Sequence, residues 1–382
     1  MEAMQDGDET TMENVDDLRV RGIRALVPAA CLIEDVNGDQ AVLESVALSR
    51  REIARAVRGE DSRILVVSGP VSMHDPVATM EYARKLSMYA KKMKDELIVV
   101  MRVFLDEPTG GAGYWSGAMY DPDLDGSFQI NKGFRQARQL LLDIARLGLP
   151  IGCLYCDPMS PQFIGDLVSW TGISSYSATS QLYRELASGL STPVGFGCIG
   201  KGAIAAGLAV DAVKVAGTPH AFLSVSKQGV AGIVETTGNS DCHVVLPSEK
   251  LDTLSGECTA LSALSLPARV MVKCATPEGA AYSQADHLKA VSDVAAKVSA
   301  GSDEVFGVLI PSFLLSGRQD MQLKHTGPVG GNGKAKKTLL HGMSVTEPCM
   351  DWSSTAQALE GLAEAVRKRR AGGSVKKQKV SS

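Results

Sequence analysis

The sequence predicts an α/β protein, a (β/α)8 TIM barrel carrying an N-terminal extension and a β-hairpin insertion. Three observations lead there. Short apolar runs of strand type alternate with helical stretches almost throughout the chain. Such alternation demands a parallel sheet, and eight units in series close most naturally into a barrel. No residue pattern marks the switch point that a doubly wound open sheet would need.

Residues 1–60 fall outside the repeat and form the extension, and residues 61–370 form the barrel. The first strand is Ile64–Ser68 (ILVVS), followed by a helix near Val77–Lys94. Leu97–Val103 (LIVVMRV) leads through a Gly-rich loop to a helix near Phe134–Arg146. Ile151–Cys156 precedes a helical stretch at Pro161–Trp170, and Gly172–Ser175 precedes another at Gln181–Ser188. Pro193–Phe196 leads to the strongly helical Ala203–Val215. Ala221–Val225 is read as the sixth barrel strand, with a hairpin of Gly232–Thr236 against His243–Leu246 inserted after it. Ala268–Lys273 leads to a helix within Ser283–Val298. Val305–Ile310 and a long Gly/Lys-rich loop come before the last helix, near Thr355–Arg370. The end, AGGSVKKQKVSS (371–382), is expected to be a flexible basic tail.

Composition narrows the function. Hydrophobic residues make up 45% and charged ones 21%, as in ordinary globular proteins. Thirty-nine Lys and Arg against 43 Asp and Glu give a net charge of −4, which argues against nucleic acid or a membrane surface as partner. No apolar run approaches the length of a membrane span, and the acidic start MEAMQDGDETTMENVDDLRV resembles no export signal. A cytoplasmic location is expected. Eight Cys are too dilute for a disulfide scaffold. Cys153 and Cys156 form a CxxC, but it lies in a strand-like run without a second pair, so two buried thiols are expected.

Other motifs are weaker than they look. Gly195–Gly200 matches GxGxxG, yet AFLSVSKQ, taken as the next strand, offers no acid for a ribose, so a tight βα loop is the simpler reading. GPVGGNGKAKKT has Pro328 where a phosphate loop needs its first Gly, and Ala335 where it needs Ser or Thr. His74-Asp75-Pro76 follows the first strand. It reads either as a catalytic group or as a helix cap with Pro at the first helical position.

Five segments carry a resemblance: GPVSMHDPVATMEYARKL (69–86), MRVFLDEP (101–108), DGSFQINKGFRQARQLLLDI (125–144), RELASGLSTPVGF (184–196) and TTGNSDCHVVL (236–246). Together they resemble the class I 3-deoxy-D-arabino-heptulosonate 7-phosphate (DAHP) synthases, first enzymes of the shikimate pathway. DDLRVRGIRALVPAACLIEDV near the start and HGMSVTEPCMDWSSTAQALEGLAEAVRKRR near the end resemble the eukaryotic-microbial form. The resemblance implies a (β/α)8 barrel that joins phosphoenolpyruvate to erythrose 4-phosphate. A divalent metal held by Cys, His, Glu and Asp assists, and Arg and Lys side chains hold the two phosphates.

This chain departs from that pattern where the chemistry sits. The metal Cys of GPCSxHDP is Val71, the His of DFSHxN is Thr276, and the Glu of the VESH-like strand end is Pro311. The final Asp is Glu347, the one ligand-type residue left of the four, so no metal cofactor is expected. Among the phosphate ligands, Lys-Pro-Arg becomes Glu107-Pro108-Thr109. An Arg becomes Tyr176, a Lys becomes Gly197 and another Arg becomes Pro247. Arg102 and Lys227 survive. Asp16, Asp17, Pro161, Gln162 and Ser191 match family positions at the interface and feedback site for aromatic amino acids.

Three readings follow. In the first, a diverged enzyme of specialised metabolism has relined its pocket with Val71, Tyr176, Gly197, Cys198, Thr276, Pro311 and Phe313. That lining suits a less charged, aromatic or amino-acid-derived ligand. His74, Arg102, Asp157, Lys227 and Glu347 are its candidate catalytic residues. In the second, a non-catalytic protein pairs with an active DAHP synthase and regulates it. The third keeps the family activity. Assembly, as a homo-oligomer or with such a relative, is expected.

Overall fold

The computed structural model describes residues 16–106, 115–197, 206–276, 281–321 and 339–380. Two helices precede the barrel, α1 (Ala29–Asp35) and α2 (Gln40–Arg58). Asp39 caps α2 by accepting the Val42 amide at 3.0 Å, and Gly59 ends it in the left-handed region at φ 80°.

The chain then alternates: β1 (Ile64–Gly69), α3 (Pro76–Lys92), β2 (Leu97–Arg102), α4 (Ile130–Ala145), β3 (Ile151–Leu154), the short α5 (Ser160–Ile164), β4 (Trp170–Ile173), α6 (Gln181–Gly189), β5 (Val194–Phe196) and α7 (Ala206–Ala216). An antiparallel pair, β6 (Ala221–Val225) and β7 (Ala231–Glu235), comes next. The series closes with β8 (Cys242–Pro247), α8 (Leu254–Ala263), β9 (Val270–Lys273), α9 (Gln284–Ser299), β10 (Val305–Pro311) and α10 (Trp352–Val380). Eight parallel strands form a closed barrel in the order β1-β10-β9-β8-β5-β4-β3-β2.

The predicted barrel is present, and one assignment within it changes. Ala221–Val225 is not the sixth barrel strand. It pairs with Ala231–Glu235, with Leu223 opposite Ile233, and the sixth strand is Cys242–Pro247. A barrel strand is covered on both faces, and five of the six β8 residues are buried, whereas β6 and β7 have none. His243–Leu246, read as one arm of a hairpin, belongs to this barrel strand, and its histidine is buried. In the fold its Nε2 accepts the Trp170 indole N–H at 3.1 Å, and its Nδ1 lies 3.3 Å from the Asp241 carbonyl. Helix α8 was not expected at all. Helix α10 runs on to Val380, into the segment expected as a flexible tail.

Val67, Val100, Leu154, Trp170, Met271 and Leu309 belong to a core cluster drawn mostly from the barrel strands, and a larger cluster joins the strands to the surrounding helices. Arg138, fully buried on α4, ties the extension to this body. It donates to both Asp166 oxygens at 2.6 and 2.7 Å, to the Val36 carbonyl at 2.8 Å and to the Phe163 carbonyl at 2.9 Å. A buried hydroxyl network, Ser68–Tyr82–Ser312–Thr355, joins β1, α3, the segment after β10 and α10. These links leave the C-terminal strand ends as the place where side chains from distant segments meet.

Candidate active site at the barrel mouth

The connection after β10 crosses the mouth and is fastened on two sides. The Val345 amide donates to Ser72 Oγ at 3.3 Å, beside Ser344 Oγ at 3.5 Å, so this connection is tied to the one after β1. Tyr282 donates to the Cys349 carbonyl at 2.6 Å, and Gln284 Nε2 donates to Asp351 at 3.1 Å and to Ser354 at 2.8 Å. This ties it to the connection after β9. Glu347 lies between the two fastenings.

Three charges gather there. Arg102, the last residue of β2, is fully buried with its guanidinium 4.1 Å from the Phe104 ring. Lys273, the last residue of β9, places Nζ 3.7 Å from Glu347 Oε2. Burial alone would raise the Glu347 carboxyl, but the Lys273 and Arg102 cations hold it below the usual range. His287, on the first turn of α9, is 2% exposed. Burial first, and Lys273 second, push its imidazole down to about 4, so it is neutral at pH 7. Its Nδ1 has no hydrogen-bond partner among the described residues, and neither has Thr346 Oγ1 next to Glu347.

Sequence reasoning named Arg102 and Glu347 but missed Lys273 and His287. The signal for Lys273 was available. With Thr276 in register with the His of DFSHxN, Lys273 falls on the Asp of that segment, a reversal of charge at a strand end.

The other candidates fare differently. His74 is buried after β1, with Nδ1 3.2 Å from Ser72 Oγ and its ring edge-on to Trp115 and Phe313. Burial lowers its pKa, and its Nε2 has no partner among the described residues. Asp75 is the cap foreseen for it, accepting the Ala78 amide at 2.9 Å ahead of Pro76. Asp157 is occupied structurally: it accepts the Met159 and Ser160 amides at 2.6 and 2.8 Å, the Tyr120 hydroxyl at 2.9 Å and the Ser160 hydroxyl.

Lys227 lies in the turn of the β6–β7 hairpin, not at a barrel strand end, and donates to the Gln162 carbonyl at 3.1 Å. Its main-chain carbonyl accepts the Ala30 amide at 2.8 Å. The hairpin turn therefore brings Gln162, beside Pro161, together with the extension. Asp16 and Asp17 lie in the exposed segment before α1, and Ser191 in the turn after α6.

The lining positions hold residues with structural occupations. Val71 is 2% exposed and Pro311 is a buried residue of β10. Thr276 Oγ1 accepts the Ser283 amide at 3.2 Å. Tyr176 is half-exposed. Gly197 adopts φ 99°, and a Cβ there would stand 2.7 Å from the Val245 carbonyl oxygen. Cys198 and Glu107-Pro108-Thr109 lie outside the described residues, as does all of GPVGGNGKAKKT. Cys153 and Cys156 form no disulfide; Cys153 is buried as expected but Cys156 only half-buried, and burial pushes the Cys153 thiol far up, which makes it inert. The test for a nucleotide site moves to β8 once the hairpin is reassigned, and CHVVLP carries no acid either.

The residues present do not fit the divalent metal that the resemblance implies. Two of the four positions are a buried valine and a strand proline, a third is a threonine used within its loop, and the fourth is a carboxylate facing an ammonium. No three His, Cys, Asp or Glu side chains among the described residues converge as a metal site.

Comparison with known proteins places this geometry. The model of the DAHP synthetase I family matches residues 41–360. The Phe-sensitive phospho-2-dehydro-3-deoxyheptonate aldolase of Escherichia coli K12 is 39% identical over 360 residues, 93% of this chain and 98% of that protein. The tyrosine-inhibited enzyme of Schizosaccharomyces pombe is 38% identical, covering 95% of this chain and 96% of its own. The aldolase AMT16 of Alternaria alternata is also 38% identical, with 94% of each covered. The solved structure of the aldolase from Francisella tularensis superposes with a TM-score of 0.82 at 37% identity, covering 92% of this chain and 99% of that one.

Proposed function

Because this chain belongs to the DAHP synthetase I family, we propose that it keeps the family's barrel but has given up the condensation of phosphoenolpyruvate with erythrose 4-phosphate, and acts on another small molecule in specialised metabolism. Family membership and the curated names speak for an enzyme of the transferase and aldolase class. The mouth speaks for a changed reaction.

One observation carries the proposal: at the four positions for the metal stand Val71, Thr276, Pro311 and Glu347, and the last faces Lys273 at 3.7 Å. An ammonium beside the remaining carboxylate repels a second cation. Loss of the cations at Tyr176, Gly197 and Pro247 removes phosphate contacts worth roughly 1.5–3 kcal/mol each. Arg102 remains to hold a carboxylate, and neutral His74 remains as a proton acceptor or donor at the rim.

The test is direct. Purified protein supplied with manganese and both substrates should turn over at less than about a thousandth of an ordinary family member's rate, as expected when metal and phosphate clamps are lost together. Turnover within tenfold of such a member would end the proposal.

A second reading, assembly either with another copy of this chain or with an active relative that it regulates, has its own observation. The hairpin exposes Leu223 at 80% and Ile233 at 73%, and the segment before α1 exposes Leu18, Val20 and Ile23. Apolar surface of this kind marks an interface. A second copy of this chain is the partner we favour.

A further inference from the structure

We propose that His341 is a pH-sensitive clasp, which as imidazolium fastens the turn at residues 340–343 to the start of α3 and as neutral imidazole releases it on one side. The turn opens the stretch that leads to Glu347, so the clasp acts on the approach to the mouth, whatever molecule the mouth takes.

The turn is built before the ring is placed. The Met343 amide donates to the Leu340 carbonyl at 3.3 Å, and Gly342 bends the chain at φ 73°. Gln319 holds both ends. Its Nε2 donates to the Leu340 and Met343 carbonyls at 3.0 and 2.9 Å, and its Oε1 accepts the Leu340 amide at 2.8 Å. The Leu315 amide closes on the Gly342 carbonyl at 2.9 Å. His341 therefore leaves a fixed backbone, and its ring has little freedom to lose on finding partners.

Those partners are two carboxylates. Nδ1 stands 3.2 Å from Asp75 Oδ2, and Nε2 stands 3.1 Å from Glu81 Oε2. Asp75 Oδ1 caps α3 at the Ala78 amide, and Glu81 Oε1 meets Lys85 Nζ at 3.3 Å. A carboxylate only accepts, so both ring nitrogens must carry protons to bond both. Neutral imidazole turns a lone pair toward one of the two anions, and that contact becomes repulsive.

The surroundings set the sign. Glu81 first, then Asp75, raise the His341 pKa above its ordinary 6.5, and Glu81 is lowered in return. Arg318, on the same connection, is occupied by Asp320 at 3.0 Å, and His74, next to Asp75, is kept neutral by burial. The clasp is whole below about pH 6.5 and fails as the pH rises through the raised value. The ring is half-exposed, so the turn opens a few fold more readily rather than by orders of magnitude.

The experiment is amide hydrogen exchange in the full-length protein between about pH 6 and about pH 8.5, with the chemical pH dependence of exchange removed. The Leu340 and Leu315 amides should lose about three- to tenfold in protection over that range, while amides inside β10 keep theirs. His341→Gln does not titrate and should show low, flat protection at both amides. His341→Arg, charged throughout, should keep protection high at the upper pH. NMR titration of the ring should give a pKa above about 6.5 that falls when Glu81→Gln removes its first partner.

A His341 pKa that is unshifted or lowered, equal pH dependence in wild type and His341→Gln, or an equal change throughout β10 would each overturn the proposal. None of these measurements depends on condensation activity, so the reading of the mouth is tested separately.

Discussion

Acid should loosen this barrel well before its carboxylates titrate, and His243 gives the measurable share. Its imidazole is 3% exposed, and burial holds its pKa down to about 4 from 6.5. The unfolded chain therefore takes up a proton that the folded one refuses. Stability from this group is whole above pH 6.5 and is lost as the pH falls toward 4. Between about pH 7.5 and about pH 5 the loss is about 2 kcal/mol, from RT times the logarithm of the ratio of binding polynomials. His287, also near 4, adds a similar amount, and His74 adds in the same direction. His341 works the other way, because Glu81 and Asp75 raise it, so its contribution grows on acidification. Lowered carboxyls such as Asp61 lose theirs only below their ordinary range.

The assay is urea unfolding of wild type and His243→Gln at the two pH values. Glutamine can still meet Trp170 and the Asp241 carbonyl, and it does not titrate. The variant should lose about 2 kcal/mol less than wild type on acidification. Equal losses in the two proteins would refute the argument that a neutral, buried His243 resists protonation.

Two further outcomes follow from the packing. Arg138→Met leaves Asp166 without its partner and the Val36 and Phe163 carbonyls without a donor, and should cost about 3 kcal/mol in urea unfolding. A cost below about 1 kcal/mol would show that water replaces the guanidinium freely. Leu223→Asp with Ile233→Asp alters only exposed side chains. It should leave the melting temperature nearly unchanged while shifting sedimentation to a smaller species. A wild type that sediments as a monomer at all concentrations would dismiss the hairpin as an interface.

Much of the fold was legible because barrel strands covered on both faces leave uninterrupted apolar runs, as ILVVS, LIVVM and VFGVLI do. The same rule misplaced the hairpin. AFLSV has the composition of a barrel strand yet lies in solvent, and CHVVLP hides a polar ring whose partner, Trp170, lies 73 residues away. No local pattern reports such a pairing. Helix α8, LSGECTALSA, buries only Leu254, Cys258 and Leu261, too thin a stripe to stand out. At the mouth, attention to residues lost found Val71 and Pro311. Lys273 escaped because a gained charge looks like any surface lysine until the barrel brings it to Glu347. Asp157 and Lys227 illustrate a related difficulty, since the turn that Asp157 caps and the hairpin turn that carries Lys227 use the residue types that catalysis uses.

The conformation at Gly197 limits what this turn can carry. Its φ of 99° and the Val245 carbonyl oxygen 2.7 Å from any added Cβ mean that neither lysine nor any other side chain fits at this spot without movement. The backbone of β5 would have to shift first, and that strand is paired on both sides. A cation wanted at this corner of the mouth must therefore come from a neighbouring strand end, where a side chain can be added without moving the barrel.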